Sequence, residues 1–148
     1  MAEQPVLFAY DGSPLSRAAI ERAGRELRSG RAAVVVTVWR PVETLPFLVP
    51  AIPLPTGMDD DLEKEANRVA EEGTELARAA GFDATLECVR TLDATWKAIV
   101  DTGEKRDAAV TVLGAHGHGR VREAVLGSVA SSVVHHTRRP VFVVHRDE

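Results

Sequence analysis

The chain has 148 residues, the size of a single domain, because one core serves about 100 to 200 residues, and a two-domain enzyme is not expected. With 45% hydrophobic and 27% charged residues and a net charge of -4, it has enough apolar material for a core and too little net charge for disorder. The 22 acidic against 18 basic residues provide no global positive field for nucleic acid or an anionic membrane, so any anion site must be local.

No stretch approaches the roughly 18 apolar residues of a membrane-spanning helix. The opening MAEQPVLFAYDG lacks the basic segment and long apolar run of a secretory leader, so a cytoplasmic location is expected. Cys88 is the sole cysteine and cannot form an internal disulfide. Its place in the alternation Ala84, Leu86, Cys88 predicts a core thiol.

In chain order, Val6 to Tyr10 is a first β-branched run, continuous and apolar as in a strand buried on both faces. Ser13 and Pro14 suit the N-cap and first position of a helix, and Leu15, Ala19, Ile20, Ala23 and Leu27 recur at helical spacing until Gly30. Ala33 to Trp39 is the second strand. Arg40 to Gly57, with five prolines, reads as a long loop, since proline fixes φ and removes a donor. Its apolar residues suggest contact with a partner.

Residues 59 to 80 form a second helix, opening on the solvated acids Asp59, Asp60 and Asp61 and lined by Leu62, Ala66, Val69, Gly73, Leu76 and Ala80. Ala84 to Val89 is the weakest strand signal. Asp93, Trp96, Ile99 and Val100 suggest a third helix, Ala108 to Leu113 a strand, residues 128 to 137 a fourth helix and Val141 to Val144 a last strand. Strands alternating with helices predict one doubly wound α/β domain over residues 1 to 148, a parallel sheet with helices on both faces.

The densest chemical signal is GAHGHGRVREAVLGSVASS, where Gly114, Gly117, Gly127 and Ser128 follow the spacing G-x2-G-x9-G-S. Glycines let backbone amides approach a ligand, and a serine at a helix start adds a hydroxyl to free amides that favour phosphate oxygens. The same glycines could serve turns alone. No Gly-Lys-Ser/Thr phosphate loop, dinucleotide fingerprint or nucleophile elbow occurs. Five histidines fall in the last third, without metal-ligand spacing.

In a doubly wound sheet the ligand lies where strand order reverses. With the order 3-2-1-4-5, Asp11 after the first strand and the Gly114 loop after the fourth face one crevice. Asp11 there suits ribose hydroxyls or a divalent cation beside phosphates, or else a turn or helix cap.

These residues resemble the universal stress protein family, specifically its ATP-binding branch, over essentially the whole chain. The family motif is matched at Gly114, Gly117, Gly127 and Ser128 between the strands AAVTVL and PVFVV, with Asp11 in an Asp-Gly-Ser turn. The resemblance implies the 3-2-1-4-5 sheet, ATP as ligand, and Asp11 near ribose or a Mg2+ or Mn2+ ion on the phosphates. It further implies adenine at Val38, ribose at Gly114, phosphates held by Gly117, Gly127, Ser128 and Val129, and a homodimer through the last strand. His116 and His118 are read as solvent-facing or beside phosphate. Tyr10 stands where a small aliphatic is commoner, and Thr91-Leu92-Asp93 replaces a glycine-containing turn. A nucleotide-dependent regulator is expected, with a slow ATPase or autokinase, or a binder of another adenine nucleotide such as AMP, as alternatives.

Overall fold

The computed structural model describes residues 3–44, 57–118 and 126–146. Its elements alternate as the hydrophobic runs require: β1 (Val6–Ala9), α1 (Pro14–Glu26), β2 (Ala32–Trp39), α2 (Met58–Ala79), β3 (Asp83–Arg90), α3 (Thr95–Lys105), β4 (Val110–Gly114), α4 (Ser128–His136) and β5 (Val141–Val144). The five strands form one parallel sheet in the order β3-β2-β1-β4-β5. β1 is central, with Val6 opposite Ala33 on one side and Val110 on the other.

Side-chain alternation along β1 divides the core into two layers. Val6, Phe8 and Tyr10 pack with Ala19, Ile20, Ala23 and Ala77 of α1 and α2, and Phe8 meets Phe82 edge to face at 5.1 Å. Leu7 points the other way, into a cluster with Ile99 of α3 and Ala130 and Val133 of α4.

Several expected boundaries shift, each for a local reason. β1 ends at Ala9, and β4 starts at Val110 rather than Ala108, because the Ala108 amide donates to Gly103 O (2.9 Å) and closes the end of α3. The stripe of α2 nearest the sheet is Ala66, Ala70, Gly73, Thr74 and Ala77. Leu62, Val69 and Leu76 flank it half-buried, since small residues occupy the line of closest approach. Asp59 accepts the Val42 amide at 2.9 Å, fastening α2 to a single 3-10 turn at Val42–Thr44. The rest of the proline-rich segment, residues 45–56, lies outside the described residues.

At Thr91-Leu92-Asp93, which stands in place of a glycine-containing turn before α3, side chains make the turn. Thr91 Oγ1 accepts the Asp93 amide at 3.0 Å, and Asp93 accepts Ala94 N–H at 2.9 Å and Lys97 at 3.1 Å. The amide of Ala94, then Lys97, holds the Asp93 carboxyl below the usual carboxylate range.

Cys88 is not a core residue. β3 is an edge strand covered on one side, so the thiol is half-buried in a polar cleft with Trp39, Asp59, Glu63 and Arg90. Burial, then the charge of Glu63, raises its pKa.

Candidate functional site

The carboxyl ends of β1 and β4 open where the strand order reverses. The end of β1 is tied to β2: the Tyr10 amide donates to Val36 O at 3.0 Å, and Thr37 Oγ1 donates to Tyr10 O at 2.9 Å. The chain then turns sharply through Gly12, whose φ of 80° lies in the left-handed region that favours glycine. Asp11 Oδ1 accepts the Ser13 amide at 2.9 Å, and Ser13 caps α1 by accepting the Ser16 amide at 3.2 Å, with Pro14 at the first helical position. Asp11 thus begins an ordered turn, with its second carboxylate oxygen beside Gly117.

At the end of β4, Ala115 N–H donates to Val144 O at 2.8 Å, and Gly127 N–H returns to Ala115 O at 2.7 Å, so the two ends of the glycine loop meet. Residues 119–125, including Arg120 and Arg122, lie outside the described residues. α4 begins immediately after Gly127 without a side-chain cap. The Ser131 amide bonds Gly127 O at 2.9 Å as the first rung of the helix, which leaves the amides of Ser128, Val129 and Ala130 ahead of the ladder.

Between these two ends is a cleft of about 280 Å³, near the lower end of the range for small-molecule sites. All seven residues singled out from the sequence line it: Asp11, Val38, Gly114, Gly117, Gly127, Ser128 and Val129. Its lining combines apolar side chains, Ala9, Val36, Val38, Ile99 and Leu113, with Asp11, His116, His118 and the start of α4. Among the described lining residues none is lysine or arginine, so positive potential for an anion comes from backbone N–H groups and the α4 dipole. Sequence reasoning missed Thr95 and Ile99, which approach from α3. Their i,i+4 spacing was the available signal, and it is the same signal that any core-facing helix gives.

Tyr10 also lines the cleft, but its ring packs into the α1–α2 layer against Gly73, where a Cβ would collide with it. Its hydroxyl donates to the Glu72 carboxylate, which also receives Arg17 and, at 3.3 Å, Arg68. Burial, then the bond to Glu72 and its charge, pushes the phenol well above its ordinary value. The same bond, with the two arginines, lowers the pKa of Glu72. Trp96 stacks on His136 with ring centroids 4.1 Å apart, joining α3 to α4.

A doubly wound parallel sheet with a crevice at its switch point, an aspartate at the end of β1 and a glycine loop leading from β4 into an uncapped helix defines a class of α/β domain. The universal stress protein family model matches residues 3–145, and the chain belongs to that family. Universal stress protein MT2052 of Mycobacterium tuberculosis is 30% identical over 165 residues, an alignment covering 94% of this chain and 47% of that protein. The chain spans about half the length of the curated relatives it matches. Among solved structures, the universal stress protein of Archaeoglobus fulgidus in complex with dAMP aligns with a TM-score of 0.71 at 21% identity, covering 97% of this chain and 98% of that one. A universal stress protein in complex with cAMP aligns with a TM-score of 0.67 at 23% identity, covering 98% of each chain. These likenesses establish the fold.

Proposed function

We propose that this chain is an ATP-binding regulatory domain. The adenine lies against the apolar side chains at Val38, and the ribose between Asp11 and Gly114. The phosphates lie on the backbone of Gly117 and Gly127 and on the amides of Ser128 and Val129, with the Ser128 hydroxyl. One observation carries the reading: a single cleft that combines apolar side chains with the uncapped start of a helix is lined by all of these residues. The dAMP and cAMP complexes of its structural neighbours support an adenine nucleotide as the ligand class.

A divalent cation fits this arrangement. Asp11 has one oxygen engaged by the Ser13 amide and the other beside Gly117 with no hydrogen-bond partner among the described residues, and Mg2+ or Mn2+ is commonly held by one or two carboxylates, phosphate oxygens and water. The cation would neutralise the repulsion between Asp11 and a polyphosphate. Calorimetry should therefore show ATP affinity falling at least about tenfold when divalent ions are chelated, while AMP affinity changes little; equal loss for both nucleotides would remove the cation from the site. The nucleotide released on denaturing the purified protein, identified by mass spectrometry, tests the ligand itself, and absence of any adenine nucleotide together with no ATP binding by calorimetry overturns the proposal.

Regulation rather than turnover is favoured by what phosphoryl transfer requires, a placed base and a cationic clamp on the phosphates. The described cleft offers Asp11 and two histidines. A turnover number near the enzyme median of about 10 per second would make this an ATPase instead.

The domain acts as a homodimer through β5. Of the two edge strands, β3 carries Asp83, Glu87 and Arg90, whereas β5 is Val-Phe-Val-Val with every residue partly exposed. Pro140 O and Val144 O face β4, accepting the amides of Thr111 and Ala115, so by the two-residue period Val141 and Val143 turn their N–H and C=O groups outward. A second copy would satisfy them. Light scattering should give a dimer, and Val143→Pro, which removes an outward N–H and none of the bonds to β4, should give a monomer. A wild-type monomer at micromolar concentration, or a dimer that survives this change, rules out the interface.

A further inference from the structure

The first residues of the glycine loop are docked on the end of β1 by two independent features. His118 Nε2 lies 2.8 Å from Asp11 O, and because a carbonyl only accepts, Nε2 is the donor. One residue earlier, Gly117 passes so close to Asp11 that a Cβ built there would overlap the carboxylate oxygen Oδ2. His118 is exposed, so neither burial nor packing accounts for its ring reaching back to β1. The Asp11 carbonyl belongs to the turn that Ser13 N–H and Thr37 Oγ1 hold in place, which makes it a fixed post.

We infer that His118 is a positioning residue, a latch that holds Gly117 and His118, the described start of the glycine loop, against Asp11 before ligand arrives and so raises affinity for the phosphate part of a nucleotide. The inference rests on the nucleotide reading of the cleft. The loop's two ends are already joined by Gly127 N–H to Ala115 O, but that bond does not itself fix Gly117 and His118 against Asp11, which the His118 contact does. A loop ordered in advance loses less conformational freedom when the phosphates bind. One hydrogen bond of ordinary net strength makes this worth about threefold to tenfold in affinity. Gly117 is needed for the latch to close, since a side chain there would displace the carboxylate the loop rests on.

The latch requires a donor at the Nε2 position and no particular charge, which sets the variants. His118→Ala removes the donor, and His118→Gln restores an N–H at about the same reach. Calorimetry with ATP and Mg2+ should show affinity falling about threefold to tenfold in His118→Ala and returning toward wild type in His118→Gln. Adenosine affinity should stay the same in all three proteins, because it lacks phosphates and meets the loop only at Gly114, the last residue of β4; a general loss of structure would weaken both ligands. Amide hydrogen exchange without ligand provides a second reading, with the Gly127 amide exchanging faster in His118→Ala than in wild type or His118→Gln. Wild-type ATP binding with no change in either variant, by calorimetry or exchange, overturns the latch alone. Failure of the wild type to bind ATP overturns the nucleotide reading and the affinity role with it, and exchange then reports whether the contact orders the loop.

Discussion

Ser128→Pro should reduce ATP affinity about 10- to 100-fold while leaving the fold intact. Ser128 is the first helical residue of α4, where proline is tolerated because that amide has no partner in the helix. The residue before a proline must be extended, and Gly127 already is, with φ of -63° and ψ of 165°. The substitution removes the Ser128 amide and hydroxyl together. Hydrogen bonds to a charged group contribute about 1.5 to 3 kcal/mol each, so losing the equivalent of one of them gives about the stated range. Ser128→Ala, which keeps the amide, should lose less.

Gly127 is a poorer place to test the same site, although its position in the motif makes it the obvious choice. A Cβ there would stand 3.1 Å from His116 Cβ and 3.3 Å from Ala115 O, so a larger side chain repacks the loop while it blocks the cleft. Unchanged ATP affinity in a folded Ser128→Pro protein would move the phosphates away from the start of α4.

The sheet was legible because four of its strands are continuous apolar runs, which only strands covered on both faces or a protected edge can carry. β3 gave the faintest signal because it is an edge: Asp83, Thr85 and Glu87 interrupt its hydrophobic pattern, and Cys88 consequently lies at a half-covered position where alternation alone suggested the core. The polar half of the cleft was legible for a different reason. Gly117 and Gly127 are under constraints that act on the backbone, and those constraints leave few residue types. Its apolar half was not, since Ile99 and Leu113 serve the core and the cleft together and look like any core residue. Val38 was reached only through family likeness. Pairings between distant positions were invisible altogether, including His118 with Asp11 and Tyr10 with Gly73.

That last pair accounts for the unusual tyrosine at the end of β1. Tyr10 is 2% exposed, and a Cβ on Gly73 would overlap three atoms of its ring. The ring cannot swing aside without breaking its hydroxyl bond to Glu72, which is itself held by Arg17 and Arg68. A glycine in the middle of a 22-residue helix sacrifices about 1 kcal/mol of helix propensity relative to alanine, so the space it leaves for the ring must outweigh that loss. Gly73→Ala should therefore destabilise the domain by about 1 to 3 kcal/mol through overpacking, measured by urea denaturation. Tyr10→Ala alone should be more damaging, about 3 to 5 kcal/mol by analogy with other buried aromatics. In that background the effect of Gly73→Ala should reverse, becoming neutral or stabilising by up to about 1 kcal/mol, because the helix gains a better former and no ring remains to strike. If Gly73→Ala costs the same with and without the tyrosine, the ring is not what keeps alanine out, and the close approach of α2 to the sheet must be explained by the backbone alone.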